Sequence, residues 1–453
     1  MKILLISVNN EMKPYPVAPL GVAYIATILK NKGHSVYVLD LCFAEDDYVA
    51  IEESLRKFSP DLLGLSIRNI DNLTFRKSVY YLPRVKEIVR LIKRLTSAQI
   101  IVGGSGFSLF PEEVLRYLQL EMGIVGEGEI SLPQYIDVII HGGKINDIPN
   151  LCYIRDGKYT RNNTICSVKP FTPKRELLNN NKYLELGGMA NIQSKRGCPF
   201  HCTYCTYPSL TGNTVRLREP LEIVDEIKEL NSEYGVDYVF FVDDIFNCPE
   251  KHTVALCEEI IRHELKIDWA CFATPKGMTK ELALLMSDAG CKGIEFGTDA
   301  GSRKTLKAIG KSFTIEDIAF ATECCNSINL PNAHYIIVGG PDEDDSTLSE
   351  TFSLFNKIEP TAVIVFVGIR IYPNTLLYYK AIEDKIIEKD QNILEPVFYI
   401  SPKIDRDVLL QKIYDYAQQS HNWIVPGLDI RCDTDMLTVM RKIGKRGPLW
   451  DMI

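Results

Sequence analysis

The sequence predicts two successive α/β domains, a Rossmann-like doubly wound sheet over residues 1–145 and a partial (β/α)6 barrel over residues 188–375. A linker bearing a hairpin spans 146–187, and a helix-rich region spans 376–453. Three observations lead there. A chain of 453 residues exceeds the size at which single cores stop growing. Short apolar runs alternate with helical patterns, as parallel sheets require. The alternation occurs twice, with the polar run Asn179-Asn180-Asn181 between the two stretches.

In the first stretch KILLISV, HSVYVLD, LLGLSIR, QIIVGG and MGIVGEGE read as five strands with helices between them. Ligands of such sheets sit at the carboxyl ends of the strands. Those ends carry Val8-Asn9-Asn10, Ser66-Ile67-Arg68-Asn69, Gly103-Gly104-Ser105-Gly106 and Gly126-Glu127-Gly128-Glu129. For any single loop, glycine is the default residue of a tight strand-to-helix turn. Having such loops after several strands of one sheet points to a large, flat or polyoxygenated ligand along that edge. Gly104-Ser105-Gly106 is followed by Phe107, Ser108 and Leu109, so G-x-G-x-x-G is not met and a dinucleotide is not indicated.

LCYIRDGKYTR reads as a hairpin turning at Asp156-Gly157. Beyond the linker, strands are expected near 191–195, 236–242, 267–273, 292–297, 334–339 and 362–368, six units against the eight of a closed barrel. Composition excludes several function classes. Basic residues number 51 and acidic residues 59, and the net charge of −8 would repel a phosphate backbone, so nucleic acid is not an expected partner. No apolar run approaches the roughly 18 residues of a membrane span. The opening MKILLISVNNEMK lacks a small-residue cleavage site and reads as a strand, not a signal peptide. Thirteen scattered cysteines suit reduced thiols, hence a cytoplasmic location. Three of them are clustered, and the other ten are expected to be core packing.

The clustered three, Cys198, Cys202 and Cys205, lie within eight residues on the loop after the barrel's first strand. Thiolates suit iron–sulfur clusters or zinc. Structural zinc takes four ligands, and the next cysteine is Cys248. His201 is the available fourth zinc ligand, but adjacent His201 and Cys202 would have difficulty reaching one tetrahedral ion. A cluster with one iron left open fits the count better.

The spacing Cys198-x3-Cys202-x2-Cys205, with Tyr204 inside it, resembles the signature of the radical S-adenosylmethionine (SAM) superfamily. The resemblance implies a [4Fe-4S] cluster whose open iron binds the amino and carboxylate groups of SAM, and which cleaves SAM to a 5′-deoxyadenosyl radical. It implies that Tyr204 lies against the adenine. Phe241-Val-Asp-Asp-Ile-Phe246 resembles the segment that meets the SAM amino group, with Asp243 and Asp244 as its carboxylates; both also suit a cap on the next helix. Gly297-Thr-Asp-Ala-Gly-Ser302 resembles the family's glycine-serine segment, with Asp299 where Glu is usual, for the ribose. Val338-Gly-Gly-Pro-Asp-Glu343 and Arg370-Ile-Tyr-Pro-Asn-Thr375 match further segments more weakly.

The N-terminal sheet resembles the cobalamin-binding domain of one branch of that superfamily, the class B radical SAM methyltransferases. Ser66, Arg68, Asn69, Gly103, Gly104, Ser105, Gly126, Glu127 and Gly128 then become cobalamin contacts. Ser66-Ile-Arg-Asn-Ile-Asp71 is similar to the corresponding segment of the tryptophan methyltransferases of thiopeptide biosynthesis. The Asp-x-His-x-x-Gly motif, whose His ligates cobalt from below, does not occur, and His34 is the only His before residue 140. Arg68, at the end of the third strand, is a candidate for the lower face; the alternative is that it pairs with Asp71 or a carboxylate of a neighbouring loop.

The family implies methyl transfer from SAM through methylcobalamin to a carbon of a small-molecule or peptide substrate, with an external electron donor such as flavodoxin or ferredoxin. A non-methylating cyclisation or rearrangement on the same cofactors is the alternative. Transfer RNA methylthiolation is disfavoured, since the first 190 residues hold only Cys42, Cys152 and Cys166. His334, Lys276, Arg370 and Tyr372 are barrel-facing candidates for holding substrate. The catalytic residues are not identified by the sequence.

Overall fold

A computed structural model describes residues 1–431 and 434–452, which form two compact units. The first comprises Met1–Asn72, Val79–Asn180 and Ser209–Gly212, and the second the remainder. No helix among the described residues is long and apolar enough to cross a membrane.

The first unit is built on strands β1 (Lys2–Ser7), β2 (Ser35–Asp40), β3 (Leu62–Ser66), β4 (Gln99–Gly103), β5 (Met122–Ile124), β6 (Leu151–Arg155) and β7 (Lys158–Arg161). They lie in the order β2-β1-β3-β4-β5-β6-β7. The first five are parallel, as the apolar runs predict, because strands covered by helices on both faces need no polar alternation. β1 is buried from Ile3 to Ser7. The hairpin assigned to a linker is a correction: β6 pairs antiparallel with β5, and Leu151 and Tyr153 belong to the same core as Ile3, Leu62 and Ile101. This unit therefore continues past residue 145 to Asn180.

The second unit contains β8 (Ala190–Ile192), β9 (Lys195–Arg196), β10 (Arg216–Leu217), β11 (Tyr238–Phe241), β12 (Asp268–Ala273), β13 (Cys291–Asp299), β14 (Asn332–Val338), β15 (Ala362–Val367), β16 (Ile369–Arg370), β17 (Phe398–Tyr399) and β18 (Trp423–Ile424). Seven of these form one parallel sheet, β18-β15-β14-β13-β12-β11-β8. Six are the expected barrel strands. The seventh, β18, comes from the region read as a separate helix-rich tail. Trp450 from that region packs with Ala333, Ala362, Ile364 and Ile424. Residues beyond 375 thus complete the barrel and do not stand apart from it.

Between sheet and helices lies a large core that includes Val239, Phe241, Trp269, Cys271, Ile294 and Phe296. Seven of the ten cysteines outside the motif are buried, Cys166 and Cys248 are half-buried, and Cys432 lies outside the described residues.

One buried ion pair steadies the chain before the motif. Arg218 Nη1 lies 2.6 Å from Glu226 Oε2, both side chains are fully buried, and Arg218 also donates to the Gln193 carbonyl at 2.9 Å. Removing one partner leaves an uncompensated buried charge. Glu226→Ala is expected to lower stability by about 3–5 kcal/mol, read as a fall in the urea midpoint. An Arg218→Met/Glu226→Leu double variant should recover most of that loss; equal loss in both would contradict the assignment.

Candidate functional site

In the first unit, the loops after β3, β4 and β5 are tied into one edge. Ile67 N donates to the Gly103 carbonyl at 2.8 Å, and Gly106 N to the Ile67 carbonyl at 3.0 Å. Ser105 Oγ donates to the Arg68 carbonyl at 2.8 Å. Ser108 Oγ donates to the Gly104 carbonyl and accepts from Gly126 N, each at 2.8 Å. The glycines have a physical cause: a Cβ on Gly104, at φ +98°, would lie 2.5 Å from the Ile67 carbonyl oxygen, and one on Gly106 would lie 3.0 Å from that of Arg68. Their close approach is to the chain's own backbone. The result is an edge that leaves Arg68 and Ser105 exposed, with Ser66, Asn69, Gly103, Gly104, Gly126 and Gly128 half-buried.

Glu127 differs from its neighbours. It is buried, its carboxylate accepts from Val168 N at 3.0 Å, and its carbonyl accepts from Asn150 Nδ2 at 2.8 Å. It fastens the segment after the hairpin, a fixed structural task alongside the expected cobalamin contact. His34 precedes β2, at the amino end of the strands, where burial lowers its pKa. His141 is exposed at the end of the helix Ser131–His141. Neither is on the edge formed by the carboxyl ends.

In the second unit, β9 leads into the cysteine loop through Gly197, at φ +94°. Cys198 is buried, and Cys202 and Cys205 are half-buried. The loop is pinned by Thr203 N to the Ile309 carbonyl at 2.9 Å and by Leu377 N to the Thr203 carbonyl at 2.9 Å. Burial pushes the Cys198 thiol up to about 11 and Cys205 up to about 12, and raises Cys202 as well. Thiols in that state are held neutral until iron displaces the protons. Among the described residues, no three His, Cys, Asp or Glu side chains are grouped to hold a single metal ion. A [4Fe-4S] cluster asks only that each thiolate reach its own iron, so the three cysteines fit it.

The paired carboxylates after β11 divide their tasks. Asp243 is buried and accepts from Ser194 N at 2.7 Å and Lys195 N at 3.1 Å, as well as from the Ser194 hydroxyl. It fixes the backbone entering the cysteine loop. The next helix, Glu250–Arg262, follows Pro249 with no side-chain cap, so neither aspartate caps it. Asp244 is half-buried, and its charge raises the Cys198 and Cys205 thiols further after burial has done so.

Asp299 sits at φ +66° after a register shift between Gly297 and Asp299, a bulge that re-aims its side chain. Its carboxylate accepts from the Tyr204 hydroxyl and pairs with Lys311. Lys311 also donates to the Gly297 carbonyl at 3.0 Å and lies 5.9 Å from the Tyr204 ring centroid. Sequence reasoning missed Lys311 and the buried Lys195, whose ammonium donates to the Phe246 carbonyl and, at 3.2 Å, to that of Cys248. No pattern marked either one.

Two candidates for holding substrate are corrected. His334 is fully buried on the helix side of the sheet, with Nδ1 2.7 Å from Thr298 Oγ1 and Nε2 3.1 Å from Thr322 Oγ1, and burial lowers its pKa to about 3. Arg370 is buried and donates to the carbonyls of Ile371, Ile393 and Leu394 at 2.9–3.0 Å. Lys276 is exposed and Tyr372 half-buried.

Glu343, in the turn after β14, is buried and accepts from Gly340 N at 3.1 Å and from Gly339 N. Burial pushes its pKa up to about 7. Between pH 5 and 7 the folded chain then holds a proton that the unfolded chain has lost, so stability falls as pH rises through that window. The expected fall, relative to Glu343→Gln, is about 2 kcal/mol. Parallel pH profiles of urea unfolding for the two proteins would refute it.

Residues 192–355 match the Radical SAM superfamily model, and residues 6–136 match the B12 binding domain model. The chain is 26% identical over 399 residues to an uncharacterized methyltransferase of Pyrococcus horikoshii, covering 85% of this chain and 84% of that one. It is 23% identical over 434 residues to the tryptophan 2-C-methyltransferase of Streptomyces laurentii, covering 80% and 72%. It shares the fold of the radical S-adenosylmethionine methyltransferase TsrM from Kitasatospora setae, solved with cobalamin and a [4Fe-4S] cluster, at a TM-score of 0.88 and 24% identity over 99% of this chain and 96% of that one.

Proposed function

Because residues 192–355 match the Radical SAM superfamily model and residues 6–136, ahead of the barrel, match the B12 binding domain model, we propose that the chain is a cobalamin-dependent radical SAM methyltransferase. The methyl group of SAM would pass through cobalamin to a carbon of a small-molecule or peptide substrate. What supports this most is one chain that pairs a three-thiol loop on a parallel barrel with a Rossmann-like sheet matching the B12 binding domain model, together with its similarity to relatives named as methyltransferases. When bound, the cluster supplies electron transfer and cobalamin supplies methyl transfer.

The chain's own residues hold and orient these groups. Cys198, Cys202 and Cys205 ligate the cluster. Asp244 receives the SAM amino group, while Asp243 keeps the loop backbone in place. Tyr204 presents its ring to the adenine, and its hydroxyl with Lys311 fixes the Asp299 carboxylate for the ribose. Ser66, Arg68, Asn69, Gly103, Gly104, Ser105, Gly126 and Gly128 line the cobalamin edge, which Glu127 braces from below. A flavodoxin or ferredoxin supplies electrons, and nucleic acid is not a partner.

The test is to incubate the reconstituted protein anaerobically with methyl-labelled SAM and a small-molecule extract of the producing cells. Label on a carbon of a product supports the proposal. Turnover with all label left in methionine would indicate cyclisation or rearrangement instead.

A further inference from the structure

The barrel interior carries rings where open space remains. Strand alternation and the contacts of β11 to β15 place Phe240, Phe272, Tyr335 and Phe366 on the face away from the helices. Their rings form a chain: Phe240 to Phe272 at 4.9 Å between centroids, Phe272 to Tyr335 at 6.2 Å, and Tyr335 to Phe366 at 6.4 Å, nearly parallel at 14°. Phe272 is 37% exposed although it sits on a central strand, so its ring borders open space. Gly297, level with Tyr335 on the neighbouring strand, has no atom within 4 Å of where a Cβ would be.

At the level of Phe240 and Ala270, one inward-facing position below Phe272, the chain inserts an aromatic ring of its own. Trp450 is 5% exposed, lies 3.1 Å from the Cβ position of Gly293, and donates from Nε1 to Glu295 Oε1 at 2.7 Å. Gly293 is level with Ala270, whereas Glu295 is level with Phe272. The lower storey of the barrel is therefore filled by an indole that is hydrogen-bonded to a carboxylate. Gly293 and Ala270 carry no side chain large enough to fill that storey; Phe240, level with Ala270, flanks it, and the Trp450 indole sets its depth.

We propose that the upper storey takes the face of a planar, uncharged aromatic ring, and that Trp450, held by Glu295, is the floor that sets how deep the ring enters. Aromatic walls favour a ring over an aliphatic body of similar size because edge-to-face and offset contacts add to plain burial. This names the acceptor class for the methyl transfer proposed above and rests on that proposal. Trp450 is a specificity-determining residue and takes no part in the chemistry.

The test uses the full chain loaded with cluster and cobalamin, with indole as the aromatic probe and cyclohexanol as the aliphatic one, each followed by equilibrium dialysis. Indole is expected to bind at least roughly tenfold more tightly than cyclohexanol, in line with aromatic pair contributions. Phe272→Leu and Tyr335→Leu, which keep apolar volume and remove a ring, should each weaken indole severalfold and leave cyclohexanol unchanged. Trp450→Gly should take up a second equivalent of indole. Indole no tighter than cyclohexanol, or unmoved by either ring removal, overturns the aromatic chamber; unchanged stoichiometry in a Trp450→Gly protein that retains its cluster absorbance overturns the floor. Methyl transfer from SAM to cobalamin needs no acceptor, so its loss would count against the methyltransferase proposal and not against the chamber.

Discussion

Cys198→Ala, Cys202→Ala and Cys205→Ala are each expected to abolish the visible absorbance of the reconstituted cluster and all cleavage of SAM. Each thiolate would hold a different iron, and no fourth cysteine stands in the loop to replace it. Their setting makes the loss complete. Cys198 is buried in a loop that Thr203 N pins to the Ile309 carbonyl, so no other side chain can swing in to replace a missing thiolate. Substitutions at the other cysteines should leave iron and sulfide near four each per chain. A full cluster spectrum in any one of the three motif variants would refute the ligand assignment.

A second large effect is expected at Arg68. It is exposed at the carboxyl end of the third strand, on an edge without histidine, and a guanidinium has donors only and cannot ligate a metal. Bound cob(II)inamide, which lacks cobalamin's own nucleotide base, should therefore show cobalt lines without the threefold splitting that an axial nitrogen imposes. The fixed positive charge also favours the electron-rich, reduced cobalt by Coulomb attraction. Arg68→Ala is expected to slow remethylation of cobalamin roughly tenfold, the scale of a charge acting through a partly screened medium. Arg68→His should introduce the missing triplet. A triplet in the unaltered protein loaded with cob(II)inamide, which lacks the nucleotide base and its nitrogen, would contradict the histidine-free site.

Where the sequence was informative, a local pattern carried the information. Apolar runs such as KILLISV and LLGLSIR can be buried on both faces only in a parallel sheet, and the thiol spacing needs no fold to be read. Long-range placement was not legible. The run LCYIRDGKYTR has the same local signature whether it lies on a surface or extends the sheet, and β18 is two residues long, too short for any periodicity. His334 was expected to face the barrel, yet a shift of one residue turns a strand side chain to the opposite face, and it packs between Phe296 and Phe355. Lys311 looks like an ordinary surface lysine until the turn after β13 brings Asp299 to it. Gly104 and Gly106 looked like a ligand cradle, but they are first required by the backbone of Ile67 and Arg68.

The most direct measurement follows the methyl group itself. Full-length protein loaded with cluster and hydroxocobalamin is reduced anaerobically, supplied with methyl-deuterated SAM without any acceptor, and its cobalamin is extracted and weighed by mass spectrometry. The expected product is cobalamin carrying the deuterated methyl group. Cobalamin left unmethylated on a protein with its cluster intact and SAM bound would contradict it.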